Sequence, residues 1–594
     1  MSYFDSASLA FLPSSGAGKD GKAYSIKPTD GTGDFTFSRG SNLAATRVGA
    51  DGLIEKGREN LLTYSNDFNS TWGLANVSVT SGQIGYDGLN DAWLLEKSSN
   101  DGRVYQNKSQ SGVQTFSVYA KKATSDYIRI FIDGISANVY FNLIDGSLYS
   151  ANNTAATSYS VDIGNGWWRI VVIVEGSGVR YRIYPAEAGS TSATSGSIYI
   201  QDSQLEIGLA ATDYIESGAT TGKAGLLEDE PRFDYSGGVT CPSLLLEPSR
   251  TQLIPQTEYL SGLSLGNSPT LTQNYAVSPE GVQNAVRVQD TDGSNFKTIQ
   301  TQFSITSGST YTISIYVKKA TSPITTYGGF YFDFDGGTRK TSNLIFDEYN
   351  GTLVNASGNA ITSVIHPVID EGDYWRFSAT ATDTGSNTIL RATLRAGAST
   401  NGTSLASVIK DYTAYGFQCE QGSYPTSYIP NHSGGTITRG ADSCTGAGDV
   451  NTFNSTEGVL YAEVSLNLLT PNMYIQISDG TYSNRVAIIN NNSSSVWRVF
   501  YRVNGVSQID ASETGLNTFE TNKIAISWKL NEFKFYVNGV KITQINSGSV
   551  NPANTFNTLE FKDIVGNNLF GNMEQVLVFN TALSDADLAT LTTI

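Results

Sequence analysis

Four groups of residues in the sequence are of the types that a reaction centre would need. The run GLSLG at Gly262–Gly266 sets Ser264 in the nucleophile-elbow pattern, which needs a preceding strand, a following helix, and then an acid and a histidine. The surroundings, TEYLSGLSLGNSPTLTQ, are turn-rich and strand-like, and the only histidines are His366, directly before Pro367, and His432 in a Ser-Gly-rich stretch. Ser264 is therefore read as a loop serine. Two histidines and the scattered Cys241, Cys419 and Cys444 give no zinc-ligand spacing. QDTDGSN at Gln289–Asn295 has the alternating oxygens and glycine of a calcium loop, but Thr301 stands where the bidentate glutamate belongs, so an Asx-rich turn is expected. Glu206 and Glu420 close related segments and are expected to make structural hydrogen bonds. A glycosidase pair could still converge from separate loops. No catalytic residue is assigned.

The aromatic residues carry more. Sugar rings present an apolar CH face that stacks on Trp or Tyr, while neighbouring Asn, Asp and Gln bond the hydroxyls. The candidates are Trp167 and Trp168, their counterparts Tyr374 and Trp375, and Trp93. Adjacent residues of a strand point to opposite faces, so one of each pair is buried. The tryptophans kept in both places, Trp168 before Arg169 and Trp375 before Arg376, are read as core. Trp167 and Tyr374 are then outward, and with Trp93 they form the expected glycan-binding set. Trp497 and Trp528 are expected in a core.

These residues lie on a duplicated framework. FSVYAKKATS at Phe116–Ser125 returns as ISIYVKKATS at Ile313–Ser322. Phe141–Ser158 then lines up with Phe346–Ser363, Gly164–Val172 with Asp370–Ser378, and Gln204–Ser217 with Gln418–Asn431. A unit this long is a complete domain rather than a solenoid repeat. Phe116, Val118 and Ala120, like Ile313, Ile315 and Val317, alternate with period two, and Gly-Ser, Asp-Gly and Asn-Gly pairs punctuate the runs. The doublet Lys121-Lys122 is a solvated strand end that discourages edge pairing. The fold class is all-β, with tandem antiparallel β-sandwich jelly rolls.

The runs ENLLTYSNDFNSTW, FSVYAKK, GNGWWRI and QLEIGLAATDYI resemble a carbohydrate-binding-module-like jelly roll common in bacteriophage virion proteins, where it sits in fibres and other appendages. The flanking phrases, among them DFTFSRGSN, TITRGAD and EPRFDYSGG, look like linkers of phage structural proteins. The last stretch, with GVLYAEVSL, NKIAISWKL and NEFKFYVNGVKI, resembles a concanavalin-like or laminin-G-like sandwich. There Asn538-Gly539 is a tight turn, and Ser584 with Asp587 can cap a terminal helix. The expected organisation is a virion-docking segment over 1–59, jelly rolls over 60–217 and 251–432, linkers over 218–250 and 433–454, and the concanavalin-like sandwich over 455–594. PSSGAGKDGKAY reads as loop that needs a partner's surface for order.

Of 594 residues only 16% are charged, against about 25% in typical soluble proteins, and the formal net charge is −17. That balance argues against nucleic acid, which demands a basic surface. No apolar run approaches the roughly 20 residues of a membrane crossing, and no secretory signal is visible at the start. The cysteines are expected to be free, buried thiols made in a reducing cytoplasm. The resemblance implies a non-enzymatic fibre on the virion surface, assembled in the host cytoplasm with other virion proteins. Weak multivalent glycan contacts would attach it, as a homo-oligomer that is commonly a trimer. Jelly rolls often hold a structural calcium, which stays open here without assigned ligands. The rival readings are a purely structural capsid or tail component and a glycan depolymerase.

Overall fold

A computed structural model of the chain describes residues 3–14, 18, 19, 21–40, 43–152, 155–356, 360–400, 405–469 and 473–594. The period-two runs are strands, and the two copies share one topology. In the first, one six-stranded sheet runs in the order Ala155–Gly164, Trp167–Glu175, Val113–Lys122, Ser197–Ile207, Ala92–Lys97, Val77–Gln83. The facing sheet runs Leu148–Ala151, Ala137–Asn142, Tyr127–Asp133, Gly178–Ala186, Arg103–Gln110, Gly73–Ala75. The second copy repeats this order around Tyr374–Thr382, Thr310–Lys318, Lys410–Gln421 and Gln283–Asp290, with Tyr327–Asp335 and Ile389–Thr400 central to its facing sheet. Phe116, Val118 and Ala120 lie in one core and Ile313, Ile315 and Val317 in the other, as their alternation requires. Both copies even share a β-bulge. The ladder shifts between Ser117 and Tyr119 in one and between Ser314 and Tyr316 in the other. The extra residue takes positive φ each time, 50° at Asp202 and 62° at Gly416.

The recurrent Trp-Arg pair does the same work twice. Trp168 Nε1 donates to the Leu143 carbonyl and Trp375 Nε1 to the Glu348 carbonyl, each at 3.1 Å. A turn glycine lies flat on each indole, Gly146 on Trp168 and Gly351 on Trp375, where a Cβ would clash. Arg169 lies over the Tyr119 ring at 5.2 Å and Arg376 over Tyr316 at 5.3 Å. Glu206 accepts from the Thr212 amide at 3.0 Å and Glu420 from the Thr426 amide at 2.8 Å, which fixes the segment after each closing strand. These carboxylates are structural.

The C-terminal sandwich packs an eight-stranded sheet, built on Gly571–Phe579, Glu457–Leu466 and Asn522–Lys529, against a five-stranded one built on Trp497–Val503 and Arg485–Asn490. Trp497 and Trp528 are buried between them. Asn538 and Gly539 both take positive φ in the two-residue turn between Glu532–Val537 and Val540–Ile545, as a primed hairpin turn demands. The helix Asp585–Leu591 is capped by Ser584, whose hydroxyl accepts the Asp587 amide.

The flanking segments are not free linkers. Leu9–Phe11 pairs with Gly571–Phe579, and Leu9, Phe11, Phe35 and Phe37 enter the core of the C-terminal sandwich. Of PSSGAGKDGKAY, expected to need a partner's surface for order, residues 15–17 and 20 lie outside the described residues, while Ala23 enters the core of the C-terminal sandwich. Phe233–Asp234 and Ser243–Leu246 extend the same sheet, and Phe35–Ser38 pairs with Ser443–Thr445. Arg39 of DFTFSRGSN and Arg439 of TITRGAD meet at one buried junction. Arg232 Nη1 reaches Glu247 at 2.6 Å, and Arg232 Nη2 is paired with Asp442. Arg439 contacts Glu247 at 2.8 Å and Arg39 contacts Asp442 at 3.4 Å. Burial pushes the Glu247 carboxyl up, but Arg439 and Arg232 outweigh it and hold it well below the usual carboxylate range.

Candidate functional site

In the sheet that holds Val113–Lys122, residues of the opposite parity to Phe116 point away from the core. On the first copy they gather into an aromatic face of Tyr119 and Trp167, with Tyr86, Tyr199 and Tyr214 packed around them. Tyr86 comes from the turn after Val77–Gln83 and stacks on Tyr119, with centroids 4.1 Å apart and planes 14° apart. Tyr199 and Tyr214 are partly exposed, and Tyr199 stands on the strand Ser197–Ile207 opposite Lys121. Polar groups converge beside the rings. Asp202 accepts the Tyr86 hydroxyl at 2.8 Å, Gln201 Nε2 donates to Asp91 at 2.9 Å, and Tyr214 shares a 2.6 Å hydrogen bond with Ser65. An aromatic platform rimmed by such groups can stack a sugar ring and bond its hydroxyls.

Asp202 is 5% exposed, and burial raises its pKa to about 7, with Asp91 and Asp87 adding charge of the same sign. In the unfolded chain the carboxyl ionises near 4. Below that value it is protonated in both states. As pH rises from about 4 to about 7 the unfolded chain gives up a proton that the folded chain keeps, and stability falls. Asp202→Asn should therefore melt higher than the parent protein above pH 7, and the gap should close towards pH 4. Thermal melts across that range check this. A gap that does not change with pH counts against the assignment.

The residues anticipated for glycan contact are placed differently. Trp167 is on the outer face, as its parity requires, but it is 1% exposed because Tyr86 and Ile163 close over it. Tyr374 is also 1% exposed, and its hydroxyl donates to the Val277 carbonyl at 2.7 Å. Trp93 leans on the core of its own sandwich and donates to the Asn66 carbonyl at 2.8 Å. Trp167 and Tyr374 therefore offer no free ring, whereas Trp93 is partly exposed. Tyr199, Tyr86, Tyr119 and Tyr214 were not anticipated. The signal for Tyr119 was its position within the repeated decapeptide, on the parity opposite to Phe116 and beside a lysine.

The remaining chemical candidates resolve locally. Ser264 is exposed on the short strand Ser264–Gly266, while His366 bonds Thr380 at 2.7 Å and His432 lies 3.2 Å from Glu258. Asp290 accepts the amides of Asp292 and Gly293, and Asp292 holds Lys297 at 2.9 Å, so the calcium-like run is an Asx turn with its own cation. Among the described residues no cluster of three His, Cys, Asp or Glu could hold a metal ion. Cys419 and Cys444 are buried, with thiols pushed up by burial, whereas Cys241 is exposed, contrary to expectation. Among the described residues no helix is long and apolar enough to cross a membrane.

No known protein-family profile matches the sequence, and no curated protein is similar to it in sequence. Among solved structures, the CBM40 module of a Ruminococcus gnavus sialidase, bound to α2,3-sialyllactose, is 15% identical. That match covers 23% of this chain and 83% of the module, with a TM-score of 0.20. The tandem CBM22 module of Paenibacillus barcinonensis Xyn10C is 10% identical over 65% of this chain and all of that one, with a TM-score of 0.20. The LG1–3 region of the laminin α2 chain is 10% identical over 82% and 96% of the two chains, with a TM-score of 0.14. At such scores these likenesses say nothing of what this chain binds.

Proposed function

We propose that this chain is a non-enzymatic surface protein of a phage virion, a tail or head fibre, that attaches weakly and multivalently to a host glycan. The observation that carries the glycan reading is the aromatic face of the first jelly roll, with Tyr199 and Tyr214 open beside Asp202, Asp91 and Gln201. The virion setting rests on the linker phrases and the jelly-roll runs of the sequence. Each such face buries little area, so a homo-oligomer supplies the avidity. Labelled full chain on a glycan array should bind, and Tyr199→Ala should weaken binding by about tenfold, as loss of one stacking ring implies. Among the described residues the Tyr199 hydroxyl has no hydrogen-bond partner whose loss would confuse the result with misfolding. Undiminished binding by this variant rules out the face.

One observation favours the depolymerase alternative. Burial raises the Glu371 carboxyl to about 7, and it borders a cavity of about 710 Å3 between the second jelly roll and the C-terminal sandwich. Against it, the buried pair Glu258 and Glu280 borders a different cavity and is bridged by the Lys56 ammonium, and Glu258 is held well below its usual pKa, so it offers no proton. If capsule polysaccharide incubated with the chain releases reducing ends, and Glu371→Gln abolishes the release, the enzymatic reading replaces the binding one.

A further inference from the structure

The duplication supplies a comparison within one chain. Asn60 and Gln252 hold equivalent places, since each side-chain oxygen accepts an amide two residues on and one from the closing strand, Leu62 and Leu205 in one copy and Ile254 and Cys419 in the other. Tyr214 bonds Ser65 as Tyr428 bonds Thr257, at 2.6 and 2.7 Å. The turn Gly85–Leu89 is closed by the same pair of backbone bonds as Ser278–Val282. In this register Asn66, Asp87, Asp91 and Gln201 of the first copy stand where Glu258, Glu280, Asn284 and Tyr415 stand in the second.

The second copy's face is filled by its own chain. The hairpin of Thr46–Val48 and Ile54–Lys56 lies across it. Ile54 is buried among Tyr316, Tyr374, Tyr415 and Tyr428, and the Thr46 hydroxyl donates to the Tyr428 carbonyl at 2.6 Å. Lys56 drives its ammonium between Glu258, at 3.0 Å, and Glu280, under the hydroxyls of Tyr415 and Tyr428. In the first copy Tyr86 takes the seat of Ile54 by stacking on Tyr119, but among the described residues no lysine or arginine takes the seat of Lys56. Among the described residues no lysine or arginine forms an ion pair with Asp87, Asp91 or Asp202, although Gln201 and Tyr86 donate to Asp91 and Asp202. The charges acting most strongly on Asp202 are Asp91 and Asp87, of its own sign, and Asp91 is in turn pushed up by burial and by Asp87. Asp91 is half-buried and Asp87 exposed, so the group opens to the surface beside the tyrosine rings.

We infer that this face takes an amino sugar, whose ring lies against Tyr199 and Tyr214 and whose primary ammonium sits between Asp87 and Asp91, beside Asp202, near the place that Lys56 takes in the second jelly roll. Asp87 stands where Glu280 does, and acid and amide are exchanged, Asn66 and Asp91 standing for Glu258 and Asn284. The inference rests on the glycan reading and names the class of sugar. A buried carboxylate beside aromatic faces favours a cation over a neutral group, by charge-assisted hydrogen bonds and by cation–π attraction. An N-acetylated sugar has no such charge.

The test titrates the full chain with fully deacetylated glucosamine oligosaccharides, with their N-acetylated counterparts and with a peptide carrying one lysine, by calorimetry. The deacetylated oligosaccharide should bind about tenfold or more tightly than its acetylated form, and Asp202→Asn should bring that ratio close to one. Asp87→Asn, in an exposed turn, should lower the ratio without disturbing the fold, and it replaces Asp202→Asn if that variant does not fold. Equal binding of both forms, lost in Tyr199→Ala, overturns the ammonium seat and leaves the glycan reading standing. Binding of neither form, on the array or in solution, overturns both. Binding of the lysine peptide alone also overturns the amino sugar.

Discussion

Arg232→Ala should cost the chain about 3–5 kcal/mol, because it removes a cation that two buried carboxylates share. Arg232 is 0% exposed and joins Glu247 to Asp442. Each acid also has a second cation, Arg439 for Glu247 and Arg39 for Asp442, but neither reaches both. The guanidinium additionally donates to the Thr46 carbonyl and the Ser427 hydroxyl, tying the segment that crosses the second jelly roll to the junction. A lysine has one point charge and no fork, so Arg232→Lys should recover only part of the loss. The effect should be local. Hydrogen exchange should accelerate in Phe35–Ser38, Ser243–Leu246 and Ser443–Thr445 while the core of the first jelly roll stays protected. The acid limb offers a second reading. Glu247, held low when folded, contributes stability above the unfolded carboxylate pKa near 4, and that contribution is lost as pH falls through its depressed value. In the variant the depression is weaker, so stability should fall less steeply below about pH 4. Unchanged denaturation midpoints and exchange rates would mean that this cluster does not hold the junction.

The sandwiches were legible because their signals are local. Alternation in FSVYAKK fixes which side chains enter the core, Asn538-Gly539 fixes a two-residue turn, and Ser584 fixes a helix start. The paired phrases announced a duplication, and sheet order, bulge and Trp-Arg contacts agree between the copies down to single hydrogen bonds. What failed was the step from facing outward to being free. Parity sends Trp167 and Tyr374 off the core side, yet whether an outer face meets solvent depends on segments distant in sequence. Tyr86 arrives from 81 positions before Trp167, and Ile54 from 320 positions before Tyr374. The acidic seat was hidden for the same reason, since Asp87 and Asp91 look like turn residues and Asp202 like part of a strand. His432, read only as lying in a Ser-Gly-rich stretch, packs against Glu258. Regular periodicity reports the face; it does not report the cover.

Trp167→Ala should lower the stability of the first jelly roll by about 3–5 kcal/mol, the usual cost of truncating a buried tryptophan. It should abolish glycan binding as well, but indirectly. The indole is enclosed by Tyr86, Tyr119 and Ile163, and removing it leaves Tyr86 and Tyr119 with an empty floor. The sugar-facing rings would then lose their geometry without having lost a sugar contact. The second copy names the substitution that separates the two effects. Tyr374 occupies the equivalent position and sends its hydroxyl to the Val277 carbonyl, and Ile84 supplies the corresponding carbonyl in the first copy. Trp167→Tyr should therefore keep the floor and cost less than about 1.5 kcal/mol, in line with hydrophobic replacements that nearly conserve volume. It should also bind glycan like the parent protein, while Tyr199→Ala should do the reverse, weakening binding about tenfold with a smaller loss of melting temperature than Trp167→Ala. If Trp167→Tyr lost binding while keeping its stability, the indole itself would be touching the ligand, and Tyr86 would have to swing off Tyr119 to admit it.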